Sequence, residues 1–513
     1  MEVLEKSERV IEKRMDKLKE KALNYLKNPY NFILVCILLF AFFIRLYYFI
    51  LTYNQSLWWD EAVYGSLARN FISHKWDGTQ AINGELLIRP LLIPFLWSFL
   101  IRFGFPESGV RFILEFIPSF FSVLFVYLIG REVFDKKTAL ISAFIFSALW
   151  IHLFYTLRLL TDIPSLMFLF SSIFFFIKSY KSDFNYKLFL FSLILLSFST
   201  LMRYPQGIAF GVYFFILVLG NIKEFRNPRI YFYAVLGVLP LLLFFLMNYL
   251  TYGNVFPALL GGSYINEGKP ITSNPLAFNL LSFIPYYLKT IFFIFFLAGL
   301  LLVLLNIFLG YDLLRKNKKI LNQLLMVLLF IAFYSFFIFY LRAGEDRYLF
   351  PVSISLSLFT GFAFSNFHEI IKKRTQIFAG ILLILILFLG AYSQITFADD
   401  MINSRKTTFL QIREGFEWMK GNTPPEGVVT GSGIEPYAIY YAEKKILALP
   451  LNENESQKIS EADYLIIHAF SPQQNYLDKY MQENQDKWGI LNVFFFDKEQ
   501  KQPAFVIYRN FAK

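Results

Sequence analysis

The sequence contains little charge, few histidines and a single cysteine. Asp, Glu, Lys and Arg make up 17% of the 513 residues, whereas soluble domains contain about 25%, so an ordinary soluble enzyme and a disordered chain are excluded. The one cysteine, Cys36, excludes a disulfide framework and a cysteine-based metal site. The four histidines are scattered, and no group of His, Asp or Glu has the sequence spacing of metal ligands.

The sequence instead contains many long runs of apolar residues. Hydrophobic residues make up 56% of the chain, mean hydropathy is +0.48, and there are 64 phenylalanines. About 20 helical residues match the hydrocarbon core of a bilayer, so the runs predict a polytopic α-helical membrane protein with about eleven spans. The predicted spans are 32–51, 111–130, 138–157, 163–177, 188–202, 207–220, 229–250, 285–309, 320–341, 348–367 and 375–396.

The charge between these spans predicts their direction. Five connecting segments are rich in Lys and Arg, whereas the alternate loops at 158–162, 203–206 and 342–347 contain few basic residues. Because cytoplasmic loops accumulate Lys and Arg, the N-terminus is predicted to be cytoplasmic, with residues 1–28 forming an amphipathic helix at that surface. The same rule accounts for the net charge of +11 without nucleic acid as a partner.

Residues 86–105 are apolar enough to form a twelfth span, but a crossing there would place every later basic loop outside. The segment also contains two arginines and two prolines. We therefore expect a helix along the outer membrane surface, within a first outer loop at 52–110. A second long outer loop is predicted at 251–284, and the transmembrane domain as a whole at 29–396.

The composition changes after the last predicted span. Residues 397–513 contain charges, turns and five short apolar segments of alternating pattern, separated by amphipathic stretches. This pattern is typical of a small α/β domain, and an odd number of spans places that domain outside the cytoplasm. Its Gly431-Ser432-Gly433 turn lacks the rest of the glycine-rich nucleotide motif, so a nucleotide site is not predicted.

Ionisable residues near membrane depth are costly unless they form ion pairs or a site, and in this sequence they collect on the predicted outer side. They lie in the first outer loop, in the loops after the third, fifth and ninth spans, and in the loop 251–284: Asp60, Glu61, Arg158, Asp162, Arg203, Lys269, Glu345, Asp346, Arg347 and Tyr348. We expect them to surround one cavity at the lipid–water boundary.

Several of these residues, and two neighbouring tryptophans, also have a plainer interpretation that is purely structural. Asp60 fits as the N-cap of the helix that follows it, and Trp58 and Trp59 fit as interfacial anchors. Arg158 and Asp162, four residues apart, fit as a local ion pair, and Asp162 also fits as the start of a helix. These interpretations stay open for each residue alone, and the shared side of the membrane favours a site.

Carboxylates beside guanidinium groups suit the transfer of a group from a phosphate-linked donor to a hydroxyl. The hydroxyl proton must be removed as the new bond forms, which a carboxylate can do. The leaving phosphate needs fixed positive charge, and Arg binds phosphate oxygens two at a time. A lipid-linked donor would explain why such a site lies at membrane level.

Four elements of the sequence have counterparts in a known superfamily. They are the acidic pair before Ala62-Val63-Tyr64, Arg89-Pro90-Leu91, the Arg158-x-x-x-Asp162 element, and Arg347-Tyr348-Leu349-Phe350-Pro351. In the order and spacing of these four elements, the chain resembles the GT-C superfamily of polytopic glycosyltransferases. The resemblance is strongest to the dolichyl-phosphate-mannose protein mannosyltransferases and the lipid A aminoarabinose transferases. The chain departs from them in having Arg89-Pro90 where the family usually has paired prolines.

The resemblance implies an inverting transfer of a hexosyl or pentosyl group from a polyprenyl-phosphate donor to a hydroxyl of a protein, glycan or lipid, on the non-cytoplasmic face. By this resemblance Asp60 is the general base, and Glu61 and Asp162 orient the substrates. A divalent metal at Glu61 or Asp162 stays an open alternative, because metal use varies among relatives. The remaining candidates are assigned to the donor phosphate or substrate: Tyr64, Arg89, Arg158, Arg203, Lys269, Arg347 and Tyr348.

A transporter or flippase of lipid-linked or anionic solutes is the alternative function. Many spans and membrane-level arginines fit it equally well. Transporters, however, place ionisable groups near the bilayer midplane within broken helices and often contain internal repeats. Here the charges lie in loops, no repeated halves are found, and a folded domain follows the last span. A membrane glycosyltransferase is therefore the predicted function.

Overall fold

A computed structural model describes residues 14–15, 20, 24–72, 79–82, 85–255, 282–314, 316–339, 345–470, 473–497 and 499–513. Most of the predicted amphipathic helix over 1–28, and most of the predicted loop 251–284, therefore lie outside the described residues. The described part is largely helical, with a small sheet near the C-terminus.

The helices in chain order are α1 Pro29–Leu51, α2 Trp59–Ile72, α3 Leu92–Arg102, α4 Glu107–Val133, α5 Lys136–Ala148, α6 Trp150–Tyr155, α7 Asp162–Ser179, α8 Tyr186–Met202, α9 Ile208–Asn221, α10 Pro228–Tyr252, α11 Ile284–Leu309, α12 Lys318–Phe339, α13 Ser353–Lys372, α14 Gln376–Arg405, α15 Leu410–Asn422, α16 Glu435–Tyr437 and α17 Leu477–Glu483. Two of them begin with the same local signal, an asparagine N-cap followed by proline: Asn28 caps α1 and Asn227 caps α10. Proline is tolerated in the first turn because the N–H that it lacks has no partner there.

Nine helices of the described residues are long and apolar enough to cross a membrane, and each corresponds to one of the eleven predicted spans. The chain is a multi-pass membrane protein. The predicted span 188–202 is the 17-residue helix α8, at the lower limit of spanning length. The predicted span 138–157 is divided into α5 and α6. The apolar segment 86–105 contains the 11-residue helix α3, too short to cross.

The division between α5 and α6 occurs at Leu149, whose backbone is extended (φ −56°, ψ 118°). Side chains from distant helices satisfy backbone groups on both sides of the break. Arg45 donates to the carbonyl of Ser147 at 3.2 Å, and the side-chain oxygen of Gln394 accepts from the N–H of Trp150 at 3.0 Å. Buried backbone groups that lack helical partners need such replacements.

Helix α13 lies at the centre of the bundle, and its N-terminal half, residues 353–361, is fully buried. Glycines allow its neighbours to approach closely. A Cβ on Gly361 would lie 2.1 Å from the hydroxyl of Ser142 on α5, and one on Gly299 of α11 would lie 1.9 Å from the carbonyl of Phe359. Small residues permit this contact between membrane helices.

The C-terminal part contains a mixed five-stranded sheet of order β4–β3–β5–β7–β6, formed by β3 Val428–Gly431, β4 Lys445–Ile446, β5 Tyr464–His468, β6 Trp488–Phe495 and β7 Pro503–Asn510. Strand β3 is parallel to β4 and β5, and β7 is antiparallel to β5 and β6. A separate hairpin joins β1 Thr79–Ile82 and β2 Glu85–Ile88. The predicted fold class, a helical membrane protein with a small α/β part, is confirmed.

The sheet-bearing part packs directly on α2. The hydroxyl of Tyr441 accepts from the N–H of Leu57 at 3.0 Å, and Glu443 pairs with Arg69 at 2.8 Å. A Cβ on Gly65 would lie 2.7 Å from the ring of Tyr440, so glycine is needed for this close contact. The buried contacts of Tyr440 and Tyr441, rather than the exposed ion pair, help to fix the helix that carries Asp60.

Candidate active site

Asp60 is the second residue of α2 and is held between two arginines. Its Oδ1 lies 3.0 Å from Arg89 Nη2 and its Oδ2 lies 2.7 Å from Arg347 Nη2. Burial raises the pKa of the Asp60 carboxyl, but the charges of Arg89 and Arg347 outweigh this effect and hold the pKa below its usual value. The carboxylate is therefore ionised and, in this arrangement, weakly basic.

Asp162 lies at the start of α7 and is only 1% exposed. Its Oδ1 is 2.6 Å from Arg203 Nη1. Arg203 directly follows α8, where the backbone becomes extended (φ −152°, ψ 107°) and turns the side chain toward α7. The guanidinium carbon of Arg203 also lies 5.0 Å from the centre of the Tyr348 ring, a cation–π contact that helps to orient it.

Arg347 connects the two carboxylates. It lies in the 3₁₀ turn Asp346–Val352 before α13, pairs with Asp60 and Glu345, and interacts electrostatically with Asp162. Its guanidinium carbon lies 5.7 Å from the Tyr348 ring centre. Six residues from five separate segments of the chain therefore meet at one place, which we call the charged cluster: Asp60, Arg89, Asp162, Arg203, Arg347 and Tyr348.

Glu61 and Arg158 form a buried pair beside the charged cluster. Glu61 accepts from the backbone N–H groups of Trp58 and Leu159, each at 2.5 Å, and lies 3.4 Å from Arg158 Nη1. Arg158 also donates to the carbonyl of Ser56 at 3.2 Å and stacks 3.7 Å from the Trp58 ring centre. This pair joins the start of α2 to the segment between α6 and α7.

This arrangement differs from two of the plainer interpretations. The carboxylate at the start of α2 that accepts backbone N–H groups is Glu61, whereas Asp60 faces arginines. Arg158 and Asp162 do not pair with each other, because Arg158 pairs with Glu61 and Asp162 pairs with Arg203. The segment between them is short and non-helical, so the four-residue spacing does not place them on one helical face.

We expect Glu61→Gln to destabilise the fold more than it alters chemistry. The substitution leaves the Arg158 guanidinium buried without its charged partner, which typically costs about 3–5 kcal/mol. Thermal unfolding of the purified protein should show a clear fall in the apparent midpoint. Glu443→Gln, which removes a carboxylate from exposed ion pairs, should change the midpoint little. An equal midpoint for Glu61→Gln and wild type would contradict a structural role for the pair.

The family model described as dolichyl-phosphate-mannose-protein mannosyltransferase matches residues 89–247, which include Arg89, Asp162 and Arg203. An uncharacterized protein of Aquifex aeolicus (strain VF5) is 28% identical over 252 residues. That match covers 47% of this chain, and it spans about half the length, 50%, of the relative.

Solved structures resemble a much larger part of the chain. An archaeal oligosaccharyltransferase AglB from Archaeoglobus fulgidus, in complex with an inhibitory peptide and a dolichol-phosphate, has a TM-score of 0.61 at 15% identity, over 86% of this chain and 70% of that one. ArnT from Cupriavidus metallidurans, bound to undecaprenyl phosphate, has a TM-score of 0.60 at 10% identity, over 92% and 97%. The chain has the GT-C fold. The resemblance found in the sequence is thus confirmed at the level of the fold.

Two further predicted site residues are Tyr64 and Lys269. Tyr64 is one turn after Asp60 on α2 and is 5% exposed, in the core between α2 and its neighbours. Lys269 lies outside the described residues. The cluster's carboxylates face guanidinium groups, and the described residues contain no group of three or more His, Cys, Asp or Glu side chains suited to a metal ion. This donor set does not fit a divalent cation.

Three further residues near the charged cluster and the Glu61–Arg158 pair were not predicted from the sequence. Tyr155 donates to Asp346 at 2.8 Å. Glu115 is fully buried in a π-helical turn, Phe112–Phe116, close enough to interact with Asp162 and Glu61. Arg111, one turn earlier, donates to the carbonyl of Thr52 at 2.8 Å. Arg111 and Glu115 could have been noticed in the sequence, because they are charged residues at one end of an otherwise apolar run.

Proposed function

We propose that this protein is an inverting membrane glycosyltransferase that moves a hexosyl or pentosyl group from a polyprenyl-phosphate donor to a hydroxyl acceptor. The observation that carries the proposal is the charged cluster, in which one carboxylate, Asp60, lies between the guanidinium groups of Arg89 and Arg347. A base and fixed positive charge are the two requirements of transfer from a phosphate-linked sugar.

Two further considerations support the proposal. The solved relatives of similar fold hold dolichol-phosphate or undecaprenyl phosphate, which are polyprenyl phosphates. The basic segments between alternate spans favour a cytoplasmic N-terminus, and we propose that the charged cluster and the domain 397–513 face the opposite side. The acceptor is then a hydroxyl of a protein, glycan or lipid on that side.

The reaction proposed at the cluster is a single displacement. The acceptor oxygen forms a bond to the anomeric carbon while the bond from that carbon to the phosphate oxygen breaks, and the phosphate leaves with the electron pair. The acceptor proton passes to the Asp60 carboxylate. Arg203 and Arg347 stabilise the charge that develops on the phosphate, and attack opposite the leaving group inverts the configuration.

Because Asp60 is ion-paired with Arg347, binding of the donor phosphate also changes the basicity of the Asp60 carboxylate. A donor phosphate that binds Arg347 competes directly with the Asp60 oxygen 2.7 Å from the same guanidinium. Loss of that neighbour raises the basicity of the carboxylate. The base is thereby strengthened when the donor is in place, and it stays weak when the site is empty.

The direct test is transfer of label from polyprenyl-phosphate sugar to a hydroxyl acceptor by the purified protein. We expect release of polyprenyl phosphate together with a glycoside of inverted anomeric configuration. Retained configuration would contradict the single displacement. Uptake of solute into sealed vesicles without any transfer would overturn the enzyme in favour of a transporter.

The ion pair with Arg89 predicts a pH effect. The wild-type pKa of Asp60 is lowered, so kcat/KM, which follows the free enzyme, should fall only at pH values below the usual range of an aspartate, about 4. Arg89→Gln removes one cation, raises this pKa, and should move the acid limb to higher pH. The pH profile of kcat/KM measures the shift. Arg69→Gln breaks an ion pair of α2 that does not involve Asp60, and it should leave the acid limb of the kcat/KM profile at the wild-type pH. If Arg89→Gln also left the acid limb at the wild-type pH, the predicted effect of Arg89 would be refuted.

A further inference from the structure

The turn that carries Arg347 also carries Asp346, a partly exposed carboxylate that belongs to no ion pair of the described residues. Arg347, by contrast, pairs with Asp60 and Glu345. A 3₁₀ helix has three residues per turn, so the side chains of neighbouring residues diverge by about 120°, although their Cα atoms are only about 3.8 Å apart. The turn therefore presents a cation and an anion close together but in different directions.

Tyr155 supplies a second polar group beside Asp346. Its hydroxyl donates to Asp346 Oδ1 at 2.8 Å, and the centre of its ring lies 5.1 Å from that of Phe154 and 5.4 Å from that of Phe350. These contacts hold the hydroxyl in place, as a binding group requires. A carboxylate can accept about four hydrogen bonds, and no other side chain of the described residues donates to Asp346. Most of its accepting capacity is therefore available to a ligand.

This pair borders the charged cluster. Tyr155 interacts electrostatically with Arg347 and Asp162, and the cluster is accessible from solvent, because the side chains of Asp60 and Arg347 are 21% and 11% exposed. A carboxylate that is not paired with a cation repels phosphate, so Asp346 does not serve the phosphate of a donor. It accepts hydrogen bonds from hydroxyl groups, and in a polyprenyl-phosphate sugar these lie on the sugar.

We propose that Asp346 and Tyr155 bind hydroxyl groups of the donor sugar while Arg347 binds the donor phosphate. This inference rests on the proposed function and specifies its substrate: the carboxylate selects a neutral sugar, whose hydroxyls donate to it, over a uronic acid, whose own carboxylate it repels. A purely structural contact between Tyr155 and Asp346 would not make binding depend on the sugar.

The test compares the affinity of the purified full chain for undecaprenyl phosphate and for its glucosyl, mannosyl, arabinosyl and xylosyl derivatives. We expect wild type to bind at least one derivative more tightly than undecaprenyl phosphate. For that derivative, Asp346→Asn should weaken binding about tenfold or more and Tyr155→Phe about threefold or more, whereas neither should weaken binding of undecaprenyl phosphate. Equal wild-type affinities for all five lipids, or an unchanged affinity ratio in Asp346→Asn, would overturn the inference.

Two matched variants remove the same chemical groups elsewhere. Glu443→Gln removes a carboxylate from the sheet-bearing part, and Tyr392→Phe removes a phenol from α14, where Tyr392 is 71% exposed. Neither should change the ratio between the affinities for a sugar-bearing lipid and for undecaprenyl phosphate. An equal change of this ratio in either control would overturn the assignment to Asp346 and Tyr155. Misfolding would lower both affinities together and leave a different signature.

Acidic sugars test the predicted selectivity. Wild type should bind the glucuronosyl and mannuronosyl derivatives more weakly than the glucosyl and mannosyl ones, and Asp346→Asn should narrow this difference. Equal affinity of wild type for the acidic and neutral derivatives would overturn the selection of a neutral sugar. None of these measurements requires transfer, so the two proposals fail separately: absent transfer with the expected affinity ratios counts against the enzyme, and transfer with unchanged ratios counts against this sugar-binding pair.

Discussion

Asp60→Asn is expected to reduce kcat/KM for sugar transfer by about 10²–10⁴-fold, the usual contribution of a general base. The amide keeps the size of the carboxylate but cannot accept the acceptor proton at neutral pH. The fold should persist, because Asp60 is partly exposed and Glu61, rather than Asp60, accepts the backbone N–H groups at the start of α2. Steady-state transfer with labelled donor, together with the unfolding midpoint, measures both quantities.

Glu443→Gln is the matched control for this variant. Glu443, like Asp60, pairs with two cations, Arg69 and Lys420, but lies on the sheet-bearing part and outside the charged cluster. It should retain transfer close to wild type. Undiminished sugar consumption by Asp60→Asn would remove Asp60 from the mechanism, and an equal loss in Glu443→Gln would indicate a general effect of charge removal.

The membrane helices and the small sheet could be predicted from the sequence because both follow from local patterns. Apolar run length determines which segments can cross a bilayer, and short apolar segments between charged and turn residues mark strands such as Tyr464–His468. The break at Leu149 could not be predicted in this way. No proline or glycine lies there, and the groups that satisfy it, Arg45 and Gln394, come from α1 and α14.

Which residues gather in the charged cluster could be predicted from the sequence better than which of them form ion pairs. Topology alone places Asp60 and Asp162 at the same end of the bundle, and the structure joins Asp60 to Arg347, 287 residues later. Which carboxylate pairs with which arginine depends on backbone turns of a few residues. The segment between Arg158 and Asp162 is one such turn, and it separates two residues whose spacing suggested a helical pair.

The second large effect is expected at Arg347. Arg347→Gln should lower kcat by about 10²–10³-fold, since it removes a fixed charge at the developing phosphate. Arg347→Lys should recover part of this loss, because lysine keeps the charge but cannot bind two oxygens in the planar geometry of a guanidinium. Arg413→Gln, which breaks an ion pair with Glu417, serves as the control and should transfer sugar normally.

Binding of polyprenyl phosphate separates this role from a merely structural one. Arg347→Gln should bind the lipid phosphate more weakly than wild type. Asp60→Asn should bind it more tightly, because the Asp60 carboxylate no longer competes for the guanidinium that lies 2.7 Å away. Opposite changes in affinity from two variants that both lose activity would be difficult to obtain from misfolding. Weaker binding in both would instead mean that Asp60 and the phosphate do not share Arg347, and the proposed strengthening of the base by the donor would have no physical origin.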